Sequence, residues 1–152
     1  MGSSNLYASK DLYNYIASIS LDAGIEPYVP HKNTDPRKDS DVSPNEVFNI
    51  DLSNMLNSEI IISYIGCPSL GVGAELAISI QNNLPIIGLY KDTDKVSRFV
   101  LGMLENYRNA TIISYSNRKD LESKLLTRLR RFQPKKETAF SRVRRLHQPS
   151  LI

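Results

Sequence analysis

The chain has 152 residues, 41% of them hydrophobic, which is enough apolar material for one core and too much for a disordered chain. Its single cysteine, Cys67, excludes an intramolecular disulfide. No apolar run approaches the roughly 18 residues that span a bilayer, and the first six residues lack the basic start and apolar stretch of a secretory signal. These features predict a cytoplasmic protein with no membrane partner.

The net charge of +3 is unevenly distributed, because residues 1–123 carry a net charge of −5 and residues 124–152 a net charge of +8. The pI of about 9.0 therefore reflects the end of the chain. We expect one domain over residues 1–132 and a flexible basic tail over residues 133–152. The tail leaves nucleic-acid contact and a nuclear location open. A solvated extension is favoured, because no ladder of aromatic residues for base stacking accompanies the charges.

Three short segments are almost continuously apolar and rich in β-branched residues, namely residues 59–65, 84–90 and 110–115. Such runs are typical of strands buried on both faces. Residues 25–29 form a shorter fourth candidate.

Helical patterns lie between these runs. An apolar face over residues 12–23 ends at Gly24, a typical glycine after a helix C-terminus. Ser43, Pro44 and Glu46 form a capping signal for a helix over residues 44–57. Further helices are predicted over residues 72–82, 94–106 and 118–132, the last capped by Asn117. The alternation predicts an α/β fold: a doubly wound, mainly parallel sheet with helices on both faces and ligands beyond the carboxyl ends of its strands.

The beginning of the sequence departs from this pattern. A doubly wound domain opens with a strand, whereas this sequence opens almost directly with a helix, and residues 1–6 are too short and polar for a buried strand. We therefore expect the first strand to be missing.

The segment Pro68-Ser69-Leu70-Gly71-Val72-Gly73-Ala74-Glu75 follows a predicted buried strand and opens a helix, where α/β sheets commonly bind anions. Gly71 and Gly73 let backbone N–H groups approach a phosphate, and Ser69 adds a hydroxyl donor. The spacing matches neither the dinucleotide-binding fingerprint nor the phosphate loop of ATPases. A tight strand-to-helix connection without a ligand is the alternative.

Glu75 follows in what the pattern predicts to be the first helical turn, where the helix dipole would hold its carboxylate ionised. An ionised, positioned carboxylate can attack the anomeric carbon of a sugar. Alternatively, Glu75 interacts only with the helix dipole.

Four segments together resemble the 2′-deoxynucleoside 5′-phosphate N-hydrolases of the nucleoside 2-deoxyribosyltransferase superfamily: Asp51-Leu52, Glu59-Ile60-Ile61-Ile62, residues 67–76 and Asn83-Leu84-Pro85-Ile86-Ile87. The resemblance implies a flavodoxin-like fold, a homodimer, and cleavage of the bond between base and sugar without a metal or an organic cofactor. The expected substrate is a nucleoside 5′-monophosphate. A deoxyribosyltransferase and a non-catalytic nucleotide-binding paralogue remain the alternatives.

The resemblance also assigns residues. Glu75 becomes the nucleophile, and Ser69, with the Gly71 and Gly73 amides, binds the 5′-phosphate. Glu59 stands where the family has Asp and becomes the candidate acid; the alternative is a surface residue that begins a strand. Gly2-Ser3 matches the family's first phosphate-binding turn, so that Ser3 is a further phosphate ligand.

The remaining candidates are less specific. Tyr13, Tyr15 and Tyr28 are able to stack on a base, although core or rim positions are more usual for such residues. For Asp51, a solvated helix acid is the simpler interpretation and contact with the site is the alternative. For His31, a solvated loop residue is favoured over contact with the base or a metal. Cys67 has no evident histidine partner, which argues against a catalytic thiol.

Overall fold

The computed structural model describes residues 3–33 and 42–132, with side chains for residues 10–30, 32 and 42–132. The predicted basic tail, residues 133–152, lies outside this part, as do the side chains of Ser3 and His31. The elements in chain order are α1 (Ser3–Asp22), α2 (Pro30–Asn33), α3 (Pro44–Asn57), β1 (Ile61–Tyr64), α4 (Leu70–Gln81), β2 (Ile86–Lys91), α5 (Arg98–Glu105), β3 (Ala110–Tyr115) and α6 (Arg118–Arg130).

The three strands form a parallel sheet in the order β1-β2-β3, with Ile61 opposite Ile86 and Ile86 opposite Ala110. Successive residues of β2 point to opposite faces, so Ile86 enters one core cluster and Ile87 the other. Leu76 of α4 and Leu104 of α5 cover the first face, whereas α1 and α6 cover the second. The predicted α/β fold, a parallel sheet with helices on both faces, is confirmed.

The helix ends follow the predicted capping signals. Ser43 and Glu46 form a reciprocal capping box at the start of α3. The Asn117 side chain accepts a hydrogen bond from the backbone N–H of Asp120 at 3.1 Å, at the start of α6. Gly24 follows α1 with a φ of +78°, a conformation in which glycine carries no steric penalty.

The predicted strand over residues 25–29 is wrong, because this segment joins no sheet in the structure. In the flavodoxin-like strand order 2-1-3-4-5, the second strand pairs only with the first. The described residues include no strand before α1, so the segment finds no ladder partner. Its apolar residues still serve the core, since Val29 is buried and Ile25 packs against the cluster between α1 and α6.

Two helix boundaries differ from the prediction in ways that affect the site. α4 begins at Leu70 instead of residue 72, since Ser69 occupies the N-cap position. α5 begins at Arg98 instead of residue 94, because the Asp94 side chain accepts hydrogen bonds that hold residues 92–97 in a turn and an extended segment.

Across residues 3–33 and 42–132, no helix combines the length and the apolarity that crossing a bilayer requires.

Candidate active site

The connection from β1 to α4 forms the centre of the candidate site. β1 ends at Tyr64, and residues 65–69 then cross the carboxyl edge of the sheet to reach α4. The Ser69 hydroxyl oxygen accepts a hydrogen bond from the backbone N–H of Val72 at 3.3 Å and so caps the helix. Because a hydroxyl accepts and donates at once, the Ser69 O–H still has a proton to donate to a ligand.

A small cavity of about 40 Å³ opens beside this N-terminus. One wall comes from residues 65–73 and the other from the start of α5; the lining residues are Ile65, Cys67, Pro68, Ser69, Val72, Gly73, Ser97 and Val100. This volume exceeds the minimum that one water molecule needs, so a small polar group has room beside the Ser69 hydroxyl.

The protein's own packing does not require Gly71 or Gly73. A Cβ on Gly71 would meet only Ser69 Oγ at 3.9 Å, and a Cβ on Gly73 would have nothing within 4 Å. Both residues lie in α4, where glycine costs roughly 1 kcal/mol relative to alanine. Two glycines in a first helical turn, facing open space, are compatible with the close approach of a ligand.

Glu75 lies about one turn further along α4, as its sixth residue, so the prediction that it occupies the first turn is wrong. The structure also reverses the predicted electrostatics. Burial and, secondarily, the nearby Asp51 carboxylate raise the pKa of Glu75 above its usual value, where the helix dipole alone would have lowered it. Glu75 is nevertheless exposed to solvent, so water screens the effect of Asp51 on its pKa.

Asp51 is the second carboxylate of the site. It lies on α3 and is half-buried, and Asp51 Oδ1 accepts a hydrogen bond from the Tyr28 hydroxyl at 2.9 Å. Interpreting Asp51 as a solvated helix acid was therefore wrong. The helical spacing of α3 contained no signal for this pairing, because Tyr28 precedes α3 by 16 residues and Glu75 follows it by 18 residues.

Glu59, the predicted acid, lies elsewhere. It is exposed and precedes β1, at the amino edge of the sheet, whereas the chain reaches Ser69 and Glu75 from the carboxyl edge. The four residues of β1 separate these edges by about 13 Å. The structure thus brings Asp51 to Glu75, and it does not bring Glu59 there.

The three tyrosines predicted as base-stacking candidates separate into different roles. Tyr13 of α1 is half-buried near the α4 N-terminus, where burial and the neighbouring Glu75 and Cys67 raise its pKa. Tyr28 bonds to Asp51, as described above. Tyr15 lies between α1 and α6, donating to Glu122 Oε2 at 2.8 Å with Arg118 over its ring, and takes no part in the site.

The structure also gives positions for the remaining candidate residues. Cys67 is an exposed free thiol in the cavity wall. Ser3 begins α1, and His31 lies in α2. Within residues 3–33 and 42–132, no group of three or more His, Cys, Asp or Glu side chains is arranged to hold a metal ion.

The fold and the site's position at the carboxyl edge define a flavodoxin-like α/β domain, and comparison with a solved structure supports this class. The CMP N-glycosidase from Clostridium botulinum superposes with a TM-score of 0.63 at 18% identity, covering 82% of this chain and 93% of that protein. At this identity the similarity shows the shared fold.

Two curated relatives carry the name "Putative 2'-deoxynucleoside 5'-phosphate N-hydrolase 1". The one from Methanococcoides burtonii is 29% identical over 65 residues, 43% of this chain and 53% of its own length. The one from Thermofilum pendens is 30% identical over 79 residues, 50% of this chain and 53% of its own length. The chain thus spans about half the length of the curated relatives it matches. No family model matches the chain. The resemblance to the 2′-deoxynucleoside 5′-phosphate N-hydrolases is confirmed by these relatives.

Proposed function

We propose that this chain hydrolyses the N-glycosidic bond of a nucleoside 5′-monophosphate, releasing the free base and the sugar phosphate. The observation that carries the proposal is an arrangement of two features. A cavity of about 40 Å³ lies at the α4 N-terminus, and Glu75 lies about one turn further along the same helix, where the Asp51 carboxylate influences its pKa. The relatives' names describe the same class of reaction.

Each step of the proposed reaction uses a group on this side of the sheet. The Ser69 O–H and the backbone N–H groups of the first α4 turn bind the phosphate. A Glu75 carboxylate oxygen forms a bond to the anomeric carbon, and the bond to the base breaks with its electron pair leaving on the base. A proton from Asp51 or from water neutralises the departing base. Water then attacks the anomeric carbon and gives one proton to Asp51 or to solvent, while the bond to Glu75 breaks and restores its carboxylate.

The direct test is chromatography of a mononucleotide incubated with the purified protein. Free base and sugar phosphate should appear together. Adding a second base tests the transferase alternative, because a transferase would form a new nucleoside. Calorimetry that finds mononucleotide binding without any base release would instead support a non-catalytic binding module.

Replacing Gly73 by alanine should separate stability from binding. The added methyl group meets no protein atom, so α4 should become more stable by about 0.5–1 kcal/mol, but it projects beside the phosphate cavity and should weaken mononucleotide binding. Gly102→Ala is the matched control, because Gly102 also lies inside a helix with no atom within 4 Å of the added Cβ and does not line the cavity. Thermal melts and calorimetric titration check both variants. Equal affinities would contradict the phosphate site.

Replacing Ser69 by alanine should weaken mononucleotide binding about tenfold, because a hydrogen bond to a charged phosphate is lost. The variant should also lose about 1 kcal/mol of stability, since Ser69 caps α4. Ser43→Ala removes the cap of α3 at a comparable cost in stability and should leave binding unchanged. An equal loss of affinity in the two variants would show that capping alone explains the effect of Ser69.

Four expectations from the sequence stay predictions. They are the homodimer, the cytoplasmic location, the solvated basic tail and the phosphate contact of Ser3. Sedimentation of the full chain would test the first of them.

A further inference from the structure

A hydrogen-bonded cluster that the proposed reaction does not use lies at the carboxyl edge of the sheet. The Tyr64 hydroxyl, at the end of β1, donates to Asp94 Oδ2 at 2.6 Å. The backbone N–H of Lys91, at the end of β2, donates to the same oxygen at 2.7 Å. Tyr115, at the end of β3, lies beside the pair, because burial and the neighbouring Asp94 carboxylate raise its pKa. The hydrogen bonds thus join the carboxyl ends of β1 and β2, and the end of β3 lies next to them.

Gly66 packs directly against this cluster. A Cβ at Gly66 would overlap Asp94 Oδ2 and would lie 2.6 Å from the Tyr64 hydroxyl oxygen. Any side chain at this position would therefore push the Tyr64–Asp94 pair and the backbone apart. Because Gly66 leads directly into Cys67 and Ser69, the cluster determines where this segment crosses the edge of the sheet.

The same pair also restrains the opposite wall of the cavity. Asp94 precedes Ser97 by three residues, in the segment that leads into α5, and Ser97 and Val100 form that wall. The Tyr64–Asp94 hydrogen bond therefore connects the end of β1, which leads into the Ser69 wall, to the segment that leads into the Ser97 wall. The Ser97 hydroxyl makes no capping bond to α5, although it occupies the N-cap position.

We propose that Tyr64 and Asp94 are a positioning pair that sets the spacing between the Ser69 wall and the Ser97 wall, and thereby determines affinity for the 5′-phosphate of the substrate. This inference rests on the proposed function. With the pair intact, Ser69 and Ser97 line the same small cavity from its two walls. Without the pair, the α5 segment is free to move away from β1.

The chemistry of the pair suits a permanent restraint. Burial and the hydrogen bond to Asp94 raise the pKa of Tyr64 above its usual value, so the phenol remains a protonated donor at neutral pH. A hydrogen bond to a carboxylate is also stronger than one between neutral groups. The restraint should therefore persist with and without substrate.

Tyr64→Phe is the test, because it removes the hydroxyl and keeps the ring. We expect KM for a nucleoside 5′-monophosphate to rise about tenfold with kcat little changed, as for the loss of a hydrogen bond to a charged group. The KM for the same nucleoside without its phosphate should not change. Asp94→Asn, which keeps a weaker acceptor oxygen, should act in the same direction with a smaller effect, and it supplies the readout if Tyr64→Phe does not fold.

Tyr107→Phe is the matched control. Its hydroxyl donates to the Leu84 carbonyl oxygen at 3.0 Å and accepts from Asn109 Nδ2 at 3.4 Å. The variant therefore also loses the hydrogen bonds of a tyrosine hydroxyl, but at the amino edge of the sheet, just before β2. Tyr107→Phe should melt earlier and leave the ratio of the two KM values unchanged. If Tyr64 had only a structural role, Tyr64→Phe would also melt earlier and leave the ratio of the two KM values unchanged.

The outcomes separate the two proposals. If the wild-type protein cleaves mononucleotides and Tyr64→Phe keeps its preference for the phosphorylated substrate, the positioning role is wrong and the proposed function stands. If the wild-type protein neither cleaves nor binds a mononucleotide, both proposals are wrong. Should it bind without cleaving, dissociation constants for the mononucleotide and the nucleoside replace the KM values, and the same comparison decides the positioning role.

Discussion

Replacing Glu75 by glutamine should reduce base release from a mononucleotide by on the order of 10³-fold or more. The amide keeps the size of the side chain but cannot act as an anionic nucleophile toward the anomeric carbon. Binding should remain, because the cavity proposed to bind the phosphate does not include Glu75. Quantifying free base by chromatography, with calorimetry for binding, checks both parts. Full activity in this variant would remove Glu75 from the mechanism.

The same variant should be more stable than the wild-type protein at neutral pH. Burial and Asp51 raise the pKa of Glu75 in the folded state, so the stability associated with the protonated acid is lost as the pH rises through that raised pKa. Glutamine does not ionise and avoids this loss. The melting temperatures of the two proteins should therefore converge below the ordinary pKa of glutamate and separate above the raised one. A thermal melt at several pH values measures the difference, and an unchanged difference across the series would contradict it.

Replacing Asp51 by asparagine should reduce kcat by about 10²–10⁴-fold, the usual range for losing a general acid or base. It should also shift the acid limb of the remaining activity to lower pH. The negative charge of Asp51 raises the pKa of Glu75, so removing that charge lowers the pH at which Glu75 ionises. The kcat/KM profile against pH, recorded for both proteins, shows the shift.

Glu59→Gln is the control for Asp51→Asn, since both remove one carboxylate near β1. Glu59 lies exposed at the amino edge of the sheet, and its replacement should leave kcat and its pH profile unchanged. A large loss in Glu59→Gln together with normal activity in Asp51→Asn would restore the assignment made from the family resemblance. It would also require a different arrangement of α3 and β1 in the active protein.

The identity of the nucleophile has a separate test, because the raised pKa of Glu75 alone would equally suit an acid, with Asp51 as the nucleophile. The position of Glu75, about one turn along α4 from the phosphate cavity, favours attack by Glu75 on the sugar. Rapid acid quenching followed by peptide mass mapping would locate the covalently bound sugar. We expect it on the peptide that contains Glu75. A sugar on the peptide that contains Asp51 would exchange the two roles.

Most of the fold was predictable from local patterns. The buried strands of a parallel sheet are short continuous apolar runs, and β1, β2 and β3 were recognisable for that reason. Ser43, Asn117 and Gly24 marked helix ends because capping uses backbone groups only a few residues away. The segment over residues 25–29 has the composition of a strand, but strand formation needs a neighbouring ladder. Composition alone does not provide that neighbour.

The candidate site was likewise predictable only where its residues lie close together in the sequence. Pro68 to Glu75 was recognisable because strand, glycine turn and helix are consecutive in the chain. The second carboxylate was not, because Glu59 and Asp51 both precede β1 and only the packing of α3 decides which one approaches Glu75. The Tyr64–Asp94 pair likewise joins residues 30 positions apart through the parallel pairing of β1 with β2. The sequence alone predicted that the glycine-containing turn and Glu75 belong to the candidate site. The tertiary structure decided the partner and the pKa of Glu75, since electrostatic interactions and burial depend on distance in space.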